Sequence, residues 1–403
     1  MFQIKGSLAL AAWGAVAILS GAAGAAPLGA AETRAPATPR GQKKLNPDLL
    51  NLPTNAWVKI KPNRNPEGRS FSGVCWGQGL IFYFGGGHAS YVGNDVELYD
   101  VAANTWTQAT EVEDWREADK WTHLDDADKK KVKPIGGGCS PAPFALSPKG
   151  RPLVYHTYQQ HVWFPEEQAF YNINIWQQAG LFAFDPAKKE WREITRQIPQ
   201  FGDQSTLALT YDPGLKTVVA MTTTRGAAAY AFDGAKKAWT KKCDFPKGTA
   251  GDIYTAYDPG RKLHVVDTKG LWFTLDLAAG TTKPMKGLSD AVKAVGKTPS
   301  VPDASMTFDP DAKLTLALAN GGSKPQGAPI ELWAHDAEKD EWSEVKMDGP
   351  APAGDIRWGL MVYDPDHKCC LLVNVRGIQG SKLQGGPVNG LFAFRLKQEA
   401  ATK

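Results

Sequence analysis

The sequence predicts an all-β fold: a six-bladed β-propeller of four-stranded antiparallel blades, its ring closed by an N-terminal strand. Three observations predict it. An aromatic-rich strand followed by an acidic turn recurs along the chain, and a second hairpin motif precedes each copy. A lone strand near the start also matches the piece that the last copy lacks. With 41 Gly and 14 Trp in 403 residues, the composition suits tight turns alternating with large aromatic strands.

The first segment has the marks of an export signal. Lys5 supplies the positive start, Leu8 to Leu19 an apolar stretch, and Gly21-Ala-Ala-Gly-Ala-Ala26 the small residues that signal peptidase requires. Residues 1–26 are therefore expected to be cleaved, leaving a secreted or periplasmic protein that starts near Pro27. No later stretch reaches the roughly 18 apolar residues of a membrane span, so none is expected. Residues 27–53, rich in Ala, Pro and Thr, read as a flexible linker. The propeller is expected over 54–398 and a disordered tail over 399–403.

The first repeating element appears as Glu97-Leu-Tyr-Asp-Val-Ala-Ala-Asn-Thr-Trp106, Leu181-Phe-Ala-Phe-Asp-Pro-Ala-Lys-Lys-Glu-Trp191 and Ala229-Tyr-Ala-Phe-Asp-Gly-Ala-Lys-Lys-Ala-Trp239. It returns without its Trp at Trp272-Phe-Thr-Leu-Asp276, in full at Leu332 to Trp342, and truncated at Leu391-Phe-Ala-Phe394. Each copy reads as a period-2 strand, a short turn and the start of another strand. The second element is an Asp-Pro turn between apolar runs: Tyr211-Asp-Pro-Gly-Leu-Lys216, Tyr257-Asp-Pro-Gly-Arg-Lys262, Phe308-Asp-Pro-Asp-Ala-Lys313 and Tyr363-Asp-Pro-Asp-His-Lys368. Trp76-Gly-Gln-Gly79 and Leu146-Ser-Pro-Lys-Gly150 read as degenerate versions. Each unit is thus a hairpin A–B, a variable loop and a hairpin C–D. Asn55-Ala-Trp-Val-Lys-Ile60 is expected to supply the missing fourth strand of the last blade, hiding two sheet edges.

Ser70 to Gln108 resembles a kelch repeat, with Leu80-Ile-Phe-Tyr-Phe-Gly-Gly-Gly87, then Asn94-Asp-Val-Glu-Leu-Tyr-Asp100, then Trp106. Leu314 to Trp342, with Gly321-Gly322, is a second match. The resemblance covers Trp57 to about Leu396 and is similar to the central domain of galactose oxidase as architecture. It implies blades whose Tyr and Trp side chains pack between neighbours.

In such blades the A–B and C–D turns share one face and the B–C and D–A connections the other. Length variation falls on the second face: Thr107 to Cys139, Tyr155 to Ala179, Lys283 to Asp303, Ala319 to Pro329 and Val375 to Asn389. Long loops on a rigid scaffold are where binding residues concentrate, so the candidates come from there. His88, after the triple glycine, reads either as a base or ligand at the channel mouth, with Tyr91 nearby, or as the partner of a loop backbone group. Tyr155 to Gln178 reads as an extended hairpin. His156 and Tyr158 are candidate proton-handling groups on it, and His161, Trp163 and Trp176 are candidate ligand contacts. The rival reading is that the hairpin packs on its neighbour. Arg225, Arg357 and Arg376 form either a cationic mouth for carboxylates or inter-blade ion pairs. Asp114 to Asp126 reads as a short helix capping the face, and Asn94-Asp95 as a strand-start turn.

Hydrophobic residues at 42% and charged residues at 22% suit a soluble protein with a large core. A net charge of +4 without a basic run argues against nucleic acid. Cys75, Cys139, Cys243, Cys369 and Cys370 are odd in number and match no zinc spacing, so buried thiols with at most two bridges are expected. No metal or cofactor is expected: Asp125, Asp126 and Asp128 lack the remaining marks of a calcium loop, and His88, His123, His156 and His161 contain no i, i+4 pair. The sialidase turn and the nucleophile elbow are absent, and copper ligands like those of galactose oxidase cannot be mapped. The function expected is binding of a glycan or extracellular protein on the long-loop face by a monomer. The alternative is a carbohydrate-active enzyme, a polysaccharide lyase or a sugar epimerase resembling the exported sialic-acid mutarotases, and a structural envelope role is the third reading.

Overall fold

Strands in this chain form where β-branched and aromatic residues run between turn signals, and they follow one another in a fixed rhythm. The structure, a computed structural model, describes residues 45–69, 71–86, 91, 93–113, 120, 126, 146–153, 156–174, 180–199, 201, 204–269, 271–297, 305–319, 329–352, 360–374, 378–379, 382–383 and 390–397. They belong to a compact unit spanning Lys44–Lys403.

A short helix α1 (Pro47–Leu50) and strand β1 (Trp57–Ile60) come first. The first sheet is β2 (Val74–Gly77), β3 (Leu80–Tyr83), β4 (Glu97–Asp100) and β5 (Thr105–Gln108). The second is β6 (His161–Phe164), β7 (Ala169–Asn174), β8 (Gly180–Asp185) and β9 (Glu190–Thr195). The third is β10 (Leu207–Asp212), β11 (Thr217–Thr222), β12 (Ala228–Asp233) and β13 (Ala238–Asp244). The fourth, β14 (Ile253–Asp258), β15 (Leu263–Thr268), β16 (Leu271–Asp276) and β17 (Thr281–Pro284), leads to helix α2 (Leu288–Ala294). The fifth is β18 (Met306–Asp309), β19 (Leu314–Ala319), β20 (Glu331–Asp336) and β21 (Glu341–Glu344). The sixth holds β22 (Met361–Asp364), β23 (Cys369–Asn374) and β26 (Gly390–Phe394), with a two-stranded ribbon, β24 (Ile378–Gln379) and β25 (Lys382–Leu383), between the last two.

Each four-stranded sheet is a blade, and in the first five the strands are hydrogen-bonded in chain order from the first strand outwards. In the sixth blade β1 takes the outermost place, pairing Trp57 with Phe394 and Ile60 with Leu391. The inner strands β2, β6, β10, β14, β18 and β22 neighbour one another in cyclic order, with β22 beside β2. This is a six-bladed propeller of antiparallel four-stranded blades.

Burial follows from that stacking. A blade lies between two others, so its middle strands are covered on both faces and read as continuous apolar runs. In β11, Val218 to Met221 are fully buried, whereas the outer strand β13 exposes Thr240, Lys241 and Lys242.

The Asp-Pro turns owe their shape to local hydrogen bonds. The Asp258 carboxylate accepts from the backbone of Gly260 and Arg261, and Asp309 from Asp311 and Ala312, at 2.9–3.2 Å. The last turn residue, Lys216, Lys262, Lys313 or Lys368, adopts a left-handed φ of 49–59° before the next strand begins.

Two expectations are corrected. The hairpin around Tyr155 to Gln178 is not a loop insertion, because β6 and β7 are the first two strands of blade 2 and turn at Pro165–Gln168. That turn carries Phe164-Pro165 instead of Asp-Pro, which hid it. Leu146–Gly150 instead turns within the preceding connection, Ser147 bonding Arg151 across it. The end of the expected 27–53 linker is also structured. Asn46 caps α1, its backbone N–H donates to His367 Nε2 at 2.9 Å, and Leu49 is fully buried. Apolar burial of Leu49 and Leu52 fixes a segment whose composition reads as a tether.

Candidate functional site

On the long-loop face, the connection from β1 to β2 carries Arg69, and the connection from β3 to β4 carries Tyr91 and Asp95. Arg69 is wholly buried. Its Nη1 donates to the Asp95 carbonyl and its Nη2 to Asp95 Oδ2, both at 2.8 Å. The guanidinium lies 4.3 Å from the Tyr91 ring centre and 5.3 Å from that of Tyr83. Tyr91 donates its hydroxyl to the other Asp95 oxygen. Tyr83 Oη takes a hydrogen bond from the Arg69 backbone N–H at 2.7 Å and faces its carbonyl at 3.0 Å.

The electrostatics follow. Burial pushes the Tyr83 and Tyr91 phenols well above their ordinary range, with the Arg69 cation the main influence pulling the other way. Burial also works against the Arg69 cation, but Asp95, Tyr91 and Glu97 outweigh it and the group is held charged. Both charges of the pair are thus spent on each other. Glu97 is clamped separately by Arg64 through both carboxylate oxygens.

Next to this cluster, blades 1 and 2 interlock. His156 stacks on Phe71 with ring centres 4.3 Å apart and meets Tyr158 edge-on at 5.8 Å. Tyr158 holds a left-handed φ of 42°, its N–H donating to the Phe71 carbonyl and its carbonyl accepting from Gly73, both at 2.8 Å. Thr157 Oγ1 donates to the Phe84 carbonyl at 3.0 Å. Gly85, with φ of 117°, sits so close that a Cβ would stand 2.4 Å from Ser72 Oγ and Thr157 Oγ1, which is the local reason for glycine there.

The sequence candidates therefore separate. Tyr91, His156 and Tyr158 lie on this face, with Tyr91 and Tyr158 half-buried and His156 buried. His161 and Trp163 belong to inner strand β6. Both are buried, Trp163 stacking on Phe82 at 5.4 Å. Burial lowers the pKa of His161 to about 3, opposed in part by the Gly73 backbone. Arg225 is exposed on the connection from β11 to β12, with φ of 51° and no ion pair among the described residues. His88, Trp176, Arg357 and Arg376 lie outside the described residues, as does most of the expected helix over Asp114 to Asp126. Asn94 accepts from the Glu113 N–H at 2.9 Å and so ties two connections together.

Sequence reasoning missed Arg69, whose partner is 26 residues away and outside any motif. Cys75, Cys243, Cys369 and Cys370 are free thiols. Among the described residues no three His, Cys, Asp or Glu groups gather to hold a metal, and no helix is long and apolar enough to cross a membrane.

No protein-family pattern and no curated protein sequence matches the chain. Solved structures match in fold. YjhT aligns with a TM-score of 0.50 at 9% identity, covering 83% of this chain and 97% of YjhT. TolB from Acinetobacter baumannii aligns at 0.44 and 11%, covering 79% of this chain, which spans only 64% of TolB. An oligogalacturonate lyase in complex with manganese aligns at 0.42 and 11%, covering 84% and 78%. At these identities the likeness is one of fold alone.

Proposed function

We propose that the chain is an exported, kelch-type propeller that binds a carbohydrate or protein ligand on its long-loop face. The observation carrying this reading is the asymmetry of the connections. The A–B and C–D links are tight turns, as at 213–216 and 234–237, whereas 84–96, 109–160 and 320–330 run long on the opposite face. The half-buried rings of Tyr91 and Tyr158 lie on that side. Their apolar faces suit stacking on sugar C–H groups or on an apolar patch of a protein. Because Asp95 already neutralises Arg69, a neutral or weakly charged partner suits this part of the face. Lys5 and the small residues at 21–26 support export.

The test is retention of the full chain on a panel of acidic and neutral polysaccharides. Retention by one class, weakened about tenfold by Tyr91→Ala or Tyr158→Ala, is the expected result. No retention by any glycan, together with no effect of either change on capture of an extracellular protein, would discard the reading. The enzyme alternative rests on the edge-on contact of Tyr158 with His156. New reducing or unsaturated ends in the same panel would favour it.

A further inference from the structure

The inner strands enclose a second feature, at the end of the axis where the A–B turns lie. Each reaches its turn through an aromatic residue: Trp76, Trp163, Tyr211, Tyr257, Phe308 and Tyr363. Together with the flanking turn prolines these line a cavity of about 670 Å³ shared by all six blades. We infer that this cavity is a binding site for a neutral, ring-bearing and mainly apolar small molecule, separate from the long-loop face.

Charge comes first. None of the described residues lining the cavity is Asp, Glu, Lys or Arg. A charged guest would give up its water with no counter-charge to receive it, so the lining selects against ions. The tyrosines do not change this. Tyr211 donates to Glu166 at 2.6 Å and Tyr363 to Asp311, and burial raises both phenols above their ordinary range and pushes Tyr257 up to about 12. Their rings are uncharged, and for Tyr211 and Tyr363 the hydroxyl is tied to the neighbouring blade's turn. The aromatic walls are therefore set before a ligand arrives, which lowers the ordering entropy of binding.

Polarity comes second. Each inner strand is a sheet edge, so part of its backbone N–H and C=O groups face the axis. The protein itself uses two of them. The Gln159 carbonyl accepts from Leu209 N at 2.7 Å, and the Gln159 side chain reaches from blade 2 to blade 4 to accept from Thr255 N at 2.9 Å. A guest with one or two hydrogen-bonding groups has backbone partners of the same kind. An oligosaccharide of that volume would carry many hydroxyls into a mostly apolar wall, where Gln78 and Gln159 are already bonded within the protein and His161 and three threonines are the other polar side chains besides the tyrosines, leaving many of them unpaired. The volume itself falls within the roughly 300–1,000 Å³ typical of small-molecule sites.

The test uses the full chain and two dyes of matched ring size, neutral N-phenyl-1-naphthylamine and anionic 8-anilino-1-naphthalenesulfonate. The neutral dye is expected to bind saturably at one per chain, at least tenfold more tightly than the sulfonate. Thr307→Trp, which fills the cavity from β18, should weaken it at least tenfold. Cys75 also lines the cavity, so bound neutral dye should slow its alkylation by N-ethylmaleimide at least fivefold in the unaltered chain. That readout does not depend on how Thr307→Trp folds. Absence of saturable binding, equal affinity for the sulfonate, unchanged binding by a folded Thr307→Trp chain, or unprotected Cys75 would each overturn the inference.

Discussion

The indole of Trp163 lies directly on the backbone of Gly77, so close that a Cβ there would stand 2.3 Å from the ring. The two residues sit on inner strands of adjacent blades, and Phe82 stacks on the same indole at 5.4 Å. Trp163 therefore serves packing between blades 1 and 2. Gly77→Ala should destabilise the protein by about 1–3 kcal/mol through overpacking. Trp163→Leu alone should also destabilise, through the cavity it leaves. The two changes combined should cost less than their sum, because each removes the other's clash or void. Urea midpoints of the four chains check this, and strict additivity would show that the contact is not shared.

Arg69 and Asp95 make a stronger case, because both are essentially unexposed. Removing one leaves the other buried without its counter-charge, Asp95 keeping only the Tyr91 hydroxyl and Arg69 only the Asp95 carbonyl and the tyrosine rings. Asp95→Asn or Arg69→Met should each destabilise by about 3–5 kcal/mol, whereas the double change Arg69→Met with Asp95→Leu should recover a large part of that loss. Denaturant unfolding gives the comparison. A double change that costs the full sum of the single ones would mean that the pair is not electrostatically coupled.

What could be read from the sequence was whatever local chemistry fixes. The Asp-Pro turns were legible because the carboxylate bonds N–H groups two or three residues on, as Asp309 does, so that cause and effect share one window. Blade 2 was misplaced because Phe164-Pro165 makes the same turn without that carboxylate. The candidate site was less legible. Trp163 reads as a ligand contact from its place in an aromatic-rich hairpin, yet it packs on a glycine of another blade. Arg69 was invisible because Asp95 lies 26 residues away. The α1 segment was hidden by its Pro-rich neighbours, although Leu49 and Leu52 were the two apolar residues that anchor it.

The anchoring of that segment predicts a local effect. Arg395 donates from Nη2 to the carbonyls of Leu49 and His367 at 2.6 and 2.9 Å, and from Nη1 to those of Leu50 and Leu52 at 3.0 and 3.3 Å. One cation thus fastens the helix to the turn of the sixth blade. Arg395→Ala should raise amide hydrogen exchange over 46–52 by at least tenfold with a smaller change in the global urea midpoint, since charge-assisted bonds contribute roughly 1.5–3 kcal/mol each and are not additive. Arg395→Lys, which keeps the charge but not the fork, should fall between. Unchanged exchange in the Ala variant would mean that Leu49 burial alone holds the segment.

The last expectation concerns acid. Burial holds His161 neutral, lowering its pKa to about 3 from an ordinary 6.5. Between those values the unfolded chain takes up a proton that the folded chain refuses, so stability falls as pH drops through that window. His264 and His335 are shifted in the same direction by burial and add to the slope. Asp212 and Asp340 act at lower pH. Burial raises their pKa, but His264 and the turn backbone at Asp212, and the Lys286 N–H and His335 at Asp340, outweigh it through hydrogen bonds, and the net shift is downward. Their stabilisation is present above the ordinary carboxylate range and is lost only as pH falls below it. At pH 4.5, about two units below the unfolded value, the His161 share alone amounts to about 2–3 kcal/mol relative to pH 7.5. Comparing unfolding of the native chain and of His161→Phe at both pH values isolates it. The native chain should lose that much more stability than the variant, and equal losses would show that His161 takes up its proton without unfolding.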